Sequence, residues 1–127
     1  MKQQLEHVET FHNAFFQENG KEPRTLIEDE YTLRYRLMDE ENGEYLDACR
    51  KNDIVEIADA LGDQLYILCG TILKHGLQHK IEEVFNEIQR SNMSKLGEDG
   101  NPIFRGDGKI LKGPGYTPPD IGSILNK

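Results

Sequence analysis

Glu40-Glu41-Asn42-Gly43-Glu44, followed after eleven residues by Glu56-Ile57-Ala58-Asp59, is the stretch whose reading decides the fold. Residues three or four apart on a helix share a face, so Glu41 and Glu44 project together, as do Glu56 and Asp59. Arg50-Lys51-Asn52-Asp53 reads as a turn between the two pairs. That pattern predicts two antiparallel helices carrying both pairs at similar heights on facing surfaces. Four carboxylates converging in a partly apolar site repel one another, and such a cluster persists only when cations occupy it. Hard oxygen ligands favour Mg²⁺ or Mn²⁺.

The flanking sequence predicts the rest of an all-α, antiparallel bundle of about four helices. Leu5, Val8, Phe11 and Phe15 recur at helical intervals over residues 3–18. Within that helix Phe11, His12 and Phe16 are either core or an edge of a base-stacking pocket. Thr25 with Glu28 fits a capping box for a second helix that runs to about Arg50. Gly43, between Glu41 and Glu44, leaves room for a close neighbour, either a packed helix or a bound metal with its phosphate. Asn52 or Asp53 caps the third helix, whose apolar stripe is Ile54, Ile57, Leu61, Leu65, Leu68 and Ile72. Asp53 with Glu56 also fits a capping box, so Glu56 is either a helix-terminal group or a ligand. Asp59 and Asp63 continue its face beyond any capping role. His75-Gly76-Leu77 is a helix stop, and a fourth helix is expected from about Gln78 to Asn92.

From Ser94 the character changes, with seven of the twelve glycines and four of the five prolines. Asp107-Gly108 between Ile103-Phe104-Arg105 and Lys109-Ile110-Leu111 predicts a small hairpin, and Pro118-Pro119 precedes a last helical turn near Ile121 and Leu125. The expected organisation is a single domain over 1–127, helical over 3–93, with an irregular Gly/Pro-rich strap over 94–127. Hydrophobic content of 36% is low for its size, so oligomerisation should complete the bundle.

The net charge of −8 is concentrated, with nine acids between Asp39 and Asp63 against only Arg50 and Lys51. Such a surface repels nucleic acid polymers and anionic membranes, but admits a small anion bridged by divalent metal. No apolar run approaches the roughly 18 residues that span a bilayer, and no signal pattern opens the chain. Cys49 and Cys69 lack metal-binding spacing and read as reduced thiols, so a cytoplasmic location is expected.

Carboxylates without His or Cys exclude the usual zinc hydrolases, and Glu9-x-x-His12 has no second Glu-x-x-His to complete a di-iron site. The phosphate-binding Gly-x-x-x-x-Gly-Lys-Ser/Thr loop is absent as well. What remains is metal-assisted hydrolysis of a phosphoanhydride, in which Mg²⁺ shares its shell with substrate phosphates.

Glu40-Glu41-x-x-Glu44 followed by Glu56-x-x-Asp59 resembles the metal-binding signature of the all-α nucleoside triphosphate pyrophosphatases, the MazG-like and phosphoribosyl-ATP pyrophosphohydrolase-like group. Residues Glu56 to Gly76 resemble its second metal-bearing helix. The run from Val84-Phe85 through Arg90-Ser91-Asn92-Met93-Ser94-Lys95 to Lys112-Gly113-Pro114 is similar to the phosphoribosyl-ATP pyrophosphohydrolase-like branch. The resemblance covers roughly residues 25–120. It implies a homodimer or homotetramer that cleaves a nucleoside triphosphate between the α and β phosphorus. It also implies Glu41, Glu44, Glu56 and Asp59 as metal ligands, with Glu40 a further ligand or the group that orients the attacking water. Lys51, Arg90, Asn92 and Lys95 are the implied phosphate or base contacts. The link between the two motifs is short for the group, so base selectivity would come from another subunit or from the first helix. Two rivals stand beside this reading: a phosphoribosyl-ATP pyrophosphohydrolase of histidine biosynthesis, and a non-catalytic helical interaction module.

Overall fold

Three residues, Lys51 to Asp53, turn the chain back on itself and set the geometry of everything around the acids. At the end of the long helix, Asn52 takes the left-handed conformation at φ 54°, which a short polar side chain tolerates. Its N–H donates to the Cys49 carbonyl (3.0 Å) and that of Asp53 to the Ala48 carbonyl (3.3 Å), closing the last turn. The Asp53 carboxylate then accepts from the N–H groups of Val55 and Glu56, at 3.0 and 3.2 Å, and starts the next helix.

The structure, a computed structural model, describes residues 1–127. Its elements are α1 (Lys2–Ala14), α2 (Glu28–Arg50), α3 (Ile54–Lys74), α4 (Ile81–Met93), β1 (Ile103–Phe104), β2 (Ile110–Leu111) and α5 (Ile121–Leu125). The all-α fold class expected from the sequence is observed, and the two short strands are its only sheet. The chain divides into two compact units, Met1–His79 and Lys80–Lys127.

In the first unit α2 and α3 form an antiparallel hairpin. Gln64 donates to Asn42 (3.0 Å) and Arg34 Nε donates to Thr71 (3.0 Å), so paired residues move apart in both directions from the turn. Ala48 and Ala60 are buried near the turn, where small side chains let the helices approach. Leu5 and Val8 of α1 join Cys69, Ile72 and Leu73 of α3 in the core at the other end. The middle of the α3 stripe, Leu61, Leu65 and Leu68, stays substantially exposed.

A buried polar knot ties α1, α2 and α3 together. Arg34 Nη2 also donates to the Ile67 carbonyl (2.8 Å), and His12 Nδ1 donates to Asn19 Oδ1 (2.6 Å). Burial lowers the pKa of both groups, and the nearby Lys74 and Arg34 charges lower His12 further. His12 is therefore neutral at pH 7, as its place beside a guanidinium requires. Gly70 makes the knot fit, because a Cβ there would lie 2.6 Å from Arg34 Nη2 and 3.1 Å from His12 Nε2.

Helix α4 begins at Ile81, three residues past the expected Gln78; the end of α1 and the start of α2 also differ from expectation, for a shared reason. Helix α1 stops at Ala14, and Phe16 takes φ 58° with its side chain 95% exposed. The segment after it crosses the end of α3: Gly20 N–H meets the Leu73 carbonyl (2.8 Å), and Arg24 N–H meets that of His75 (2.8 Å). These bonds satisfy carbonyls that a helix end leaves without partners. They also hold the chain extended until Ile27, so α2 begins at Glu28 with no side-chain cap and Thr25 plays no capping part. The stop after α3 is as expected, with Gly76 at φ 68° and Leu77 N–H on the Ile72 carbonyl (3.0 Å).

In the second unit the tail is strapped to α4. The Arg90 guanidinium holds Glu87 (2.6 Å), the Thr117 hydroxyl (2.6 Å) and the Pro118 carbonyl (3.2 Å). The buried Ser91 hydroxyl donates to the Thr117 carbonyl (2.9 Å). Glu87 also accepts from Asp120 N–H (2.7 Å), and these donors depress its pKa to about 2. The expected hairpin pairs Ile103 with Leu111 and Phe104 with Ile110, turning through Gly108 at φ 88°.

Gly70→Ala should cost about 1–3 kcal/mol by forcing a methyl group into the Arg34–His12 knot. Urea denaturation measures this. An unchanged midpoint would mean that the guanidinium yields without loss.

Candidate metal centre

Glu41 and Glu44 stand one turn apart on α2, and the antiparallel hairpin places Asp63 of α3 against them. One carboxylate oxygen from each lies within 4.8 Å of the other two. Glu41 is half-buried, and its Oε2 is enclosed without a hydrogen-bond partner. Burial raises its pKa most, followed by a hydrogen bond with Glu44 and the negative charges of Glu44, Asp63 and Glu40. Near a protein surface, two like charges about 4 Å apart repel by roughly 4 kcal/mol before screening. The hairpin thus holds together groups that oppose their own convergence.

One turn nearer the connection, a cavity of about 280 Å³ opens between the helices. Glu44, Asp47, Ala48 and Lys51 line it from the α2 side, and Glu56, Asp59 and Ala60 from α3. That volume leaves room for a hydrated cation and a phosphate group. Lys51 Nζ stands 3.3 Å from Glu56 Oε2, and both side chains are solvent-exposed. Glu56 is therefore not committed to capping α3, since Asp53 alone receives the backbone donors there.

The acids form a file rather than one knot. Glu56, Asp59 and Glu44 share the cavity, while Glu44, Glu41 and Asp63 make the tight group above it. Glu44 belongs to both. Glu40 is exposed, and its charge is one of the causes that raise Glu41. Asp63 and Asp47 are the acids that the two motifs alone do not single out. Their signal is spacing, because Asp63 is four residues past Asp59 and Asp47 three past Glu44. Gly43 and Gly62 face open space, so neither is required by a neighbouring side chain or backbone.

Among the implied substrate contacts, Lys51 lines the cavity. In the second unit, the Arg90 guanidinium is engaged by Glu87, Thr117 and Pro118. Asn92 is exposed, and the carbonyl of the half-buried Lys95 receives Gly113 N–H (2.7 Å).

The residues present fit a divalent cation. The donors are all carboxylate oxygens, the choice of hard ions, and one of them is buried with no partner of its own. No helix is long and apolar enough to cross a membrane.

The sequence pattern of the phosphoribosyl-ATP pyrophosphohydrolase family matches residues 8–92, a span that contains every acid of the file. A crystal structure from Exiguobacterium sp. 255-15, provisionally described as an NTP pyrophosphohydrolase, is 25% identical with a TM-score of 0.52. That similarity covers 97% of this chain and 94% of the other. An uncharacterized protein of Acanthamoeba polyphaga mimivirus is 39% identical over 72 residues, 55% of this chain and 26% of its own length. The matched segment thus spans about a quarter of that relative.

A raised carboxylate pKa contributes stability at low pH that is lost as pH rises through the raised value. At pH 7 without metal, Glu41 should therefore destabilise the fold. Glu41→Gln should raise the melting temperature in EDTA by a few degrees and shrink the further rise that Mg²⁺ gives the native protein. Thermal melts with and without Mg²⁺ test both; a lower melting temperature in EDTA would contradict the repulsion.

Proposed function

The chain belongs to the phosphoribosyl-ATP pyrophosphohydrolase family, and on that premise we propose that it is a Mg²⁺-dependent nucleoside triphosphate pyrophosphohydrolase. It would cleave a ribo- or deoxyribonucleoside triphosphate between the α and β phosphorus, releasing the monophosphate and pyrophosphate. The observation that carries this reading is the meeting of Glu41, Glu44 and Asp63, with a buried, unpartnered oxygen on Glu41. Membership of the family supports hydrolysis of a pyrophosphate bond, and the all-oxygen donor set supports magnesium, with manganese an alternative.

Glu41, Glu44, Glu56 and Asp59 would hold the cation, joined by Asp63. Bound there, the cation supplies Lewis-acid charge that lowers the pKa of water and offsets charge on the phosphates. Glu40, exposed beside the group, would orient the attacking water and accept its proton. As the bridging P–O bond breaks, Lys51 Nζ would balance charge on the departing pyrophosphate at the cavity mouth. The partly exposed Leu61, Leu65 and Leu68 support completion of the bundle by a second copy. The family pattern also supports phosphoribosyl-ATP as the substrate, and activity alone separates the two.

Pyrophosphate release across the common nucleoside triphosphates and phosphoribosyl-ATP, with Mg²⁺ present or chelated, tests the proposal. Mg²⁺-dependent turnover of a nucleoside triphosphate is expected, and turnover confined to phosphoribosyl-ATP would move the assignment to the second substrate. Glu44→Gln and Asp59→Asn should each lower kcat by about a hundredfold or more with the helical circular dichroism unchanged. Unaltered rates in both variants would remove the acids from the chemistry.

A further inference from the structure

The acidic file has two unlike ends. At the turn end stand Lys51 and Glu56, and beyond Asp63 the same face of α3 continues one turn to Tyr66. Tyr66 is not isolated there. Phe11 of α1 meets its ring edge-on with centroids 5.7 Å apart, and Phe15 lies 4.5 Å from Phe11. Despite these contacts, Tyr66 remains 40% exposed, Phe11 43% and Phe15 61%. Three aromatic rings joined through Phe11, open to solvent and one helical turn from a carboxylate of the cluster, are more than this small core uses.

We propose that the Phe11–Phe15–Tyr66 group is the platform on which the base of the nucleotide stacks, so that the substrate lies along α3 with a fixed direction. Its β and γ phosphates point toward Lys51 and its base toward α1. This rests on the nucleotide-hydrolysing function proposed above and adds the orientation of the substrate and the residues that grip the base. Charge places the anionic end, because Lys51 is the only Lys or Arg lining the cavity. Chemistry places the other end, because an uncharged π face is what aromatic rings recognise and the acids beside them would repel phosphate. Stacking is tolerant of base identity, so the platform favours nucleotides over base-free triphosphates without choosing strongly among bases. His12 takes no part in this, being buried and bonded to Asn19.

The test compares the KM of a nucleoside triphosphate with the inhibition constant of ribose 5-triphosphate, which has the same charged end and nothing to stack. Native protein should favour the nucleotide by about tenfold. Tyr66→Leu and Phe11→Leu should each close most of that gap, mainly through KM and not kcat, and Tyr66→Phe should preserve it. If the native protein hydrolyses nucleotides but the gap survives in both Leu variants, the platform is wrong and the hydrolase reading stands. If the native protein releases no pyrophosphate from any nucleotide, both fall together. Sedimentation of the same variants covers the remaining outcome. Loss of a dimer, with the two ligands weakened alike, would show that the rings pack against a second copy, and would overturn the proposal.

Discussion

Electrostatic repulsion among Glu41, Glu44 and Asp63 is the constraint that the first unit is built to withstand. A group of acids does not assemble itself, so other interactions must fix the spacing of α2 and α3. They do so from both ends. At the turn, Asn52 in a left-handed conformation and the Asp53 cap reverse the chain in three residues, and Ala48 and Ala60 let the helices close. At the far end, Arg34 reaches from α2 to the Thr71 hydroxyl and the Ile67 carbonyl of α3, and both Arg34 and His12 of α1 lie against Gly70. Between these fixed points the acids have nowhere to withdraw, and burial and repulsion together push Glu41 upward. A site strained in this way favours whatever brings positive charge to it.

The second unit uses the opposite arrangement, in which acid and base satisfy one another. Glu87 is surrounded by donors from Arg90 and Asp120, which is why its pKa falls while that of Glu41 rises. Arg90 draws Thr117 and Pro118 onto α4, and Ser91 adds a buried hydrogen bond to the same segment. A tail rich in glycine and proline cannot order itself through helix propensity. Its place depends on these side chains, and the exposed Lys127–Glu83 pair at 2.8 Å adds little to them.

Much of this was legible in the sequence because it follows from local rules. The apolar period located each helix, Gly76 and Asp107-Gly108 marked a stop and a turn, and acid spacing put Glu44, Glu56 and Asp59 on the two helix faces that line one cavity. What was not legible depends on contacts between distant segments. Thr25 has the right spacing for a cap, yet Arg24 is drawn onto the end of α3, fifty residues away, and the helix starts later. Phe16 carries no local mark of a helix end, and the reversal there serves the His12–Asn19 bond. Asp63 lay on the right face in sequence, but only the relative heights of α2 and α3 put it beside Glu41 while Glu56 stands nearer the turn. Arg90 looked like a phosphate donor because nothing local reveals that Thr117 and Pro118 will occupy its guanidinium.

The account turns on whether the Glu41 carboxylate feels its neighbours and whether a cation relieves them. Carbon-13 NMR titration of the glutamate carboxyls, assigned with Glu41→Gln, measures this directly. Without metal, Glu41 should hold its proton to a pH above the ordinary glutamate range, and saturating Mg²⁺ should release it at lower pH. An ordinary titration that ignores Mg²⁺ would mean that these acids do not act on one another, and the proposed centre would lose its basis.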